Sequence, residues 1–153
     1  MMKVICAPDS FKESLSAVAA ANAMADGIRS ALPAATVDIC PVGDGGEGTL
    51  ASLLTTQRGD YRRCMVHDAL GREVSAPFGL LDSGATAWVE SAAAISLAAI
   101  PTAERDVMAA SSYGVGELIR AASDAAPERI VVGVGGSATN DGGCGMAQAL
   151  GVR

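Results

Sequence analysis

The segment Ile130-Val131-Val132-Gly133-Val134-Gly135-Gly136-Ser137-Ala138-Thr139-Asn140-Asp141-Gly142-Gly143 decides the fold class. An apolar, β-branched run feeds a glycine-rich turn, and Cys144 to Leu150 then reads as a helix. Strand, tight turn and helix in that order form the unit of an α/β layer. Glycines let the backbone approach a ligand closely, and a helix start offers free N–H groups to an anion. Ser137, Thr139, Asn140 and Asp141 add hydroxyls, an amide and a carboxylate at the same place. The turn suits a phosphorylated or polyhydroxylated small molecule, with Asp141 suited to a metal ion. The plain alternative is a glycine-rich turn with an Asx cap.

The same unit recurs upstream. Lys3 to Ala7 reads as a buried strand ending in the polar loop Pro8-Asp9-Ser10-Phe11-Lys12-Glu13-Ser14. Ser14 or Ser16 caps a helix whose apolar face runs Val18, Ala21, Ala25, Ile28 and Leu32, and Pro33 stops it. Thr36 to Val42 is a second strand, followed by Gly43-Asp44-Gly45-Gly46-Glu47-Gly48 and a helix from Thr49 carrying Leu50, Leu53 and Leu54. This alternation predicts a largely parallel sheet. After Gly59 the pattern changes to three strands with short connections, 61–68, 73–81 and 85–90, which predict an antiparallel meander. A second structural unit therefore opens near residues 68–74.

A short helix at Ser91–Leu97, ended by Pro101, comes next. A longer one is capped by Ser111 or Ser112, with Val115, Leu118, Ile119, Ala122 and Ala126 on one face and an Arg120–Asp124 pair on the other. Gly151 is placed to close the last helix. The chain stops where another strand is expected, which reads as a truncation.

With 153 residues the chain is long enough to bury a core; 50% are hydrophobic and only 3% aromatic, so that core is aliphatic and rich in alanine. The net charge of −6 argues against non-specific binding to nucleic acid. No apolar run is long enough to cross a membrane, and Pro8-Asp9 interrupts the N-terminus too early for a signal peptide. The chain therefore reads as cytoplasmic. Cys6, Cys40, Cys64 and Cys144 are scattered and read as buried free thiols rather than zinc ligands or disulfides. The lone His67 reads as structural or exposed rather than catalytic, and Trp88 as a core or interface residue.

Three loops carry the polar chemistry, each at the end of a presumed strand. Gly43-x-Gly45-x-x-Gly48 satisfies the dinucleotide fingerprint formally, and Gly133-x-Gly135-x-x-Ala138 its looser form. Asp44 and Glu47, however, would set two negative charges against a pyrophosphate, so these carboxylates fit a metal ion, a hydroxyl or a proton better. Asp9, Ser10 and Lys12 bunch where open α/β sheets bind ligands. There a lysine can neutralise a phosphate or carboxylate, and an aspartate can take a hydroxyl proton or hold Mg²⁺.

At four of these segments the chain resembles the bacterial glycerate kinase family, of the glycerate 2-kinase type. The segments are Ala7 to Ala17, Asp44-Gly45-Gly46-Glu47-Gly48-Thr49, Gly114-x-Gly116-Glu117-Leu118-Ile119 and Gly135 to Gly143. Val107, Ala110-Ser111-Ser112, Val115 and Gly43 depart from the family's usual residues. The resemblance implies a two-domain α/β architecture in which both ends of a longer chain build one domain and the second is inserted. Residues 1–70 would open the discontinuous Rossmann-like domain and 71–153 the inserted one. It implies ATP-dependent phosphorylation of D-glycerate, with ATP and Mg²⁺ as cofactors. Asp9, Lys12, Asp44 and Asp141 are then the catalytic candidates. Ser10, Gly45, Gly46, Glu47, Gly135, Gly136, Ser137, Thr139 and Asn140 are the substrate and phosphate contacts, with Glu47 or Asp141 toward the metal. Two other readings stay open: a truncated, inactive member of that family, and a dinucleotide-binding domain. The oligomeric state, a homo-oligomer included, is open too.

Overall fold

The computed structural model describes residues 2–12 and 14–153, so Glu13 of the first quoted motif lies outside the described residues. The chain is a mixed α/β protein with two sheets. In the first, β1 (Lys3–Cys6) pairs in parallel with β2 (Thr36–Ile39), and α1 (Ala17–Ala31) crosses between them. Ser16 is the cap of α1, its hydroxyl accepting the Ala19 N–H at 3.2 Å. The buried face of α1 is Ala17, Ala20, Ala21 and Ala25, while Leu32 is exposed. Ala21, Ala25 and Ile28 of the expected face meet the core, while Leu32 at the helix end does not, and Ala17 and Ala20 join the buried side. Cys6, Ala21 and Ala25 form a small core with Ile28, Val37 and Ile39 against it.

α2 (Thr49–Thr56) leads to the second sheet, in the order β3 (Gly59–His67), β4 (Glu73–Leu81), β5 (Thr86–Glu90), β6 (Arg129–Gly133). β3 to β5 form the expected antiparallel meander, and β6 adds in parallel to β5. Because β3 pairs with β4 along its whole length, the sheets part between α2 and β3, ahead of residues 68–74. The largely parallel sheet expected of the N-terminal part is, in this chain, a two-stranded pair.

Strand alternation sends the side chains of this sheet to two different partners. Ala76, Phe78, Leu80, Ala87 and Val89 enter the main core with Leu118 and Ala122 of α4 (Tyr113–Ser123) and with Ile95 of α3 (Ser91–Ile95). On the opposite face Gly79 and Glu90 meet Leu50 of α2, while Ser75 and Pro77 line an open cleft. A Cβ on Gly79 would overlap Leu50, and one on Gly133 would overlap the Gly45 carbonyl oxygen. At Gly133 loop backbone approaches the strand, which only glycine permits, and at Gly79 the Leu50 side chain takes the space of a Cβ. α3 ends at Ile95, earlier than predicted, with Ser96 turning extended to form a bridge to Ser137. α5 (Cys144–Ala149) ends in a Schellman turn, with Gly151 N–H on the Gln148 carbonyl and Val152 N–H on that of Ala147.

Of the cysteines, all free, only Cys6 is buried; Cys40 and Cys144 are exposed and Cys64 is intermediate. Cys40 follows β2 and Cys144 begins α5, so neither points into a core. Arg120 reaches the Ala149 carbonyl at 3.4 Å rather than pairing with Asp124. Among the described residues no helix is long and apolar enough to cross a membrane.

α4 packs through its glycines. A Cβ on Gly114 would overlap the His67 carbonyl, and one on Gly116 the Met146 carbonyl. Gly114→Ala is expected to lower stability by about 1–3 kcal/mol, the usual cost of overpacking. Gly27→Ala, in α1 with nothing near its added methyl, should raise it by about 0.4–1 kcal/mol. Denaturant midpoints of the two variants check both signs.

Candidate functional site

Two of the three polar loops are brought into direct backbone apposition. The Gly43–Gly48 loop lies over the end of β6, where a Cβ on Gly135 would stand 3.0 Å from Gly46 Cα. Asp44 folds back on its own loop, its Oδ1 accepting the Gly46 N–H at 2.9 Å, and Thr49 Oγ1 accepts the Gly45 N–H at 3.1 Å. The Pro8–Ser14 loop joins this pair at its edge, through Val42 N–H on the Pro8 carbonyl at 3.1 Å. Asp9 Oδ1 accepts the Ser10 N–H at 2.6 Å, and Lys12 is exposed. Among the described residues no hydrogen bond or ion pair joins Asp9, Ser10 or Lys12 to the Gly135–Gly143 loop.

The Gly135–Gly143 loop is strapped onto α3. Leu97 N–H bonds the Gly136 carbonyl at 2.8 Å, Ala138 N–H the Ile95 carbonyl at 2.9 Å, and the Ser137 and Ser91 hydroxyls lie 2.9 Å apart. Thr139 is partly buried, and Asn140 is exposed at the turn.

Asp141 is the centre of the second half of the loop. Its Oδ2 accepts the Ser112 N–H and hydroxyl, both at 2.8 Å, and the Gly145 N–H at 3.1 Å. Its Oδ1 accepts the Gly143 N–H at 3.1 Å. The Ser112 hydroxyl in turn accepts the Met146 N–H at 2.9 Å, and the Asp141 carbonyl accepts that of Cys144. The start of α5 therefore offers its first amides to Asp141 and Ser112, not to a ligand. This corrects the expectation of a free anion site there: four donors on one carboxylate suit a clamp between α4 and α5. Ser112 stands at the α4 cap position but spends its hydroxyl on this clamp, while Ser111 Oγ accepts the Tyr113 N–H at 3.2 Å. Burial pushes the Asp141 carboxyl up, but the bonds from Ser112, Gly145 and Gly143 outweigh it and hold the group below its ordinary range.

The start of α2 is filled in the same way by a residue that sequence reasoning missed. Glu90 closes β5 and is buried; its Oε2 accepts the Gly48 N–H at 3.2 Å and its Oε1 accepts the Leu50 N–H. A carboxylate ending the apolar run Ala85 to Val89 was the available signal. Burial pushes the Glu90 carboxyl up, the Leu50 and Gly48 amides pull it down, Glu47 adds to the rise, and the net is a raised value. The Trp88 indole nitrogen is itself buried without a hydrogen-bond partner. With a carboxylate already on this helix start, the dinucleotide reading loses its pyrophosphate position. Glu47, Gly48, Tyr61, Arg63 and Glu90 line an open cleft of about 520 Å³ floored by Ala92, Ala93, Ala98 and Ala99.

His67 has a structural setting. Its Nδ1 lies 3.0 Å from both Glu117 oxygens, its N–H bonds Oε2 at 2.8 Å, and its ring meets Tyr113 edge-on. This accounts for Glu117 in the Gly114–Ile119 motif, whose glycines admit the neighbouring backbones. Among the described residues no group of three or more His, Cys, Asp or Glu side chains could hold a metal ion.

The model of the glycerate kinase family matches residues 4–153. The chain is 51% identical to a glycerate kinase of Bacillus subtilis (strain 168), over 99% of this chain and 40% of that protein. It is 45% identical to the glycerate 2-kinase of Escherichia coli (strain K12), again over 99% of this chain and 40% of the relative. A crystal structure from Salmonella typhimurium LT2, described as a glycerate kinase 2, matches with a TM-score of 0.78 and 47% identity, covering 98% of this chain and 40% of that one. The chain thus spans about two fifths of the length of these relatives.

The Asp141 clamp has a pH signature. A carboxyl held low in the folded state adds stability that is fully present above its unfolded pKa of about 3.9 and is lost as pH falls through the folded value. Asp141→Asn is expected to lower stability at neutral pH by about 1–3 kcal/mol, because its amide turns donors toward donors. The variant should also lose part of the fall in stability below about pH 4. Chemical denaturation of both proteins across the acid range measures the two effects.

Proposed function

Because the chain belongs to the glycerate kinase family, we propose that the protein it forms transfers the γ-phosphoryl group of ATP to D-glycerate, at the 2-hydroxyl. The observation that carries this reading is the apposition of the Gly43–Gly48 and Gly135–Gly143 loops at the sheet end, beside an open cleft. In the reaction the hydroxyl oxygen forms a bond to the γ-phosphorus, the bond to ADP breaks, and the hydroxyl proton passes to a base. Catalysis of this kind is positioning plus charge stabilisation, which fixed glycine loops and nearby side chains supply.

Lys12 receives the glycerate carboxylate or the transferred phosphoryl group, and Asp9 or Asp44 orients and deprotonates the hydroxyl. Ser10, Gly45, Gly46, Gly135, Gly136, Ser137, Thr139 and Asn140 contact phosphate or glycerate oxygens. With both oxygens of Asp141 taken by four donors, Glu47 is the better metal candidate and Asp141 a positioning group. The donor set fits Mg²⁺ as ATP brings it, held by phosphates, water and one or two carboxylates; the ion would supply charge neutralisation at the phosphates. In the architecture proposed, β1 to α2 belong to a discontinuous domain and the four-stranded sheet opens an inserted one. The cytoplasm is the proposed location.

The test is a coupled assay of the full-length protein with ATP, Mg²⁺ and D-glycerate. Phosphoglycerate and ADP are expected in equal amounts. Lys12→Ala should lower kcat/KM for glycerate by roughly 10- to 100-fold, the loss of one charge-assisted hydrogen bond. An inactive full-length protein would overturn the reading, and an unaffected Lys12→Ala variant would remove Lys12 from the site.

A further inference from the structure

Glu90 has no part in the roles assigned so far. It crosses from β5 to the first turn of α2 and takes two amides, those of Gly48 and Leu50, with its two oxygens. Leu50 is anchored a second time, its side chain seated on Gly79 of β4. The loop that opens α2 rests on Gly133 and Gly135 from the other side. Beyond the bonds that Asp44 and Thr49 make within the loop, three supports from β4, β5 and the end of β6 therefore hold the Gly43–Gly48 segment, and two of them are absences of a side chain. Glu90 is the one built from a functional group, and it lines the same cleft as Glu47 and Gly48. A buried carboxylate is a poor source of stability, since its desolvation offsets the hydrogen bonds it makes. What it provides is geometry: two acceptors in a fixed fork, matched to two donors on one helical turn.

We propose that Glu90 is a positioning residue of the phosphoryl-transfer site, fixing the Gly43–Gly48 loop, and with it Asp44 and Glu47, against Gly133–Gly135. The activity arm of this proposal rests on the glycerate kinase reading; the structural arm does not. Glutamine in its place presents one acceptor and one NH₂ group, so one of the two loop amides meets a donor and the loop loses its fixed register. Misplacement of a catalytic group by about 1 Å costs on the order of 100-fold in rate.

The experiment compares full-length wild type, Glu90→Gln and Ala122→Gly, the last a stability control in the core of α4 away from the loops. Assays are run well below the melting temperature of each. Glu90→Gln is expected to lose about 10- to 100-fold in kcat with KM for ATP within about threefold, whereas Ala122→Gly keeps its kcat. Equal kcat losses in the two variants, or none in Glu90→Gln, would overturn the positioning role. Residue-resolved hydrogen exchange supplies the second readout. In wild type the Leu50 amide is expected to be protected, although first-turn amides otherwise have no partner within their helix. A freely exchanging Leu50 amide in wild type overturns the proposal whether or not Glu90→Gln folds. Absence of glycerate turnover by wild type overturns the kinase reading instead, and exchange then decides whether Glu90 holds the loop.

Discussion

The close approach of the Gly43–Gly48 loop to the end of β6 is the constraint on which the rest of this structure depends. The Gly45 carbonyl occupies the space where any side chain on Gly133 would stand, and Gly46 lies against Gly135. Backbone this close leaves no room for a side-chain layer, so the two loops behave as one wall. The sheet accommodates the arrangement through alternation. Residues pointing one way from β4 and β5 fill the main core with α3 and α4, and those pointing the other way include Gly79 and Glu90, which meet α2, and Ser75 and Pro77, which line the cleft. A substitution on one face of these strands therefore acts on packing, and one on the other face acts on the loops.

Both helices that leave these loops begin with a glycine in the left-handed region, Gly48 before α2 and Gly143 before α5. Both then place a carboxylate of the protein itself at the helix start. Asp141 serves α5 from its own loop and reaches across to Ser112; Glu90 serves α2 from a strand distant in sequence. Their environments shift them in opposite directions. Asp141 accepts enough hydrogen bonds to be held low, whereas Glu90 has only two amides and a deeper burial and is pushed up. The two helix starts are thus electrostatically satisfied from within. Any anion at this face must be held by loop amides and side chains rather than by a helix end.

The local pattern was readable wherever a local cause acts. Glu73–Leu81 was legible as a strand to the residue, and the cap of α1 was narrowed to Ser14 or Ser16, of which Ser16 is the one used, because period and cap chemistry are properties of neighbours in sequence. The meander followed from its short connections. What could not be read were pairings between distant residues. Nothing local says that Asp141 will consume the amides of α5 together with Ser112, or that Glu90 will find Gly48. The free anion site expected at α5 failed for that reason: a helix start looks open until its partner is known. The glycines show the converse. Gly79, Gly114 and Gly133 each mark a point where another part of the chain touches down.

Charge sets a further condition on the proposed chemistry. Asp9, Asp44, Glu47, Glu90 and Asp141 lie on or beside the loops, against Lys12 and, in the cleft, Arg63, whose guanidinium already bonds the Ser75 hydroxyl and carbonyl at 3.2 and 3.0 Å. Phosphoryl transfer from ATP to glycerate assembles two anions, and bringing them together among carboxylates is unfavourable unless positive charge is added. Two carboxylates are partly neutralised by the amides they accept, which lowers the repulsion at the loops but does not reverse it. On the proposed reading, positive charge must therefore be added to these loops, and Mg²⁺ on the ATP phosphates would supply part of it.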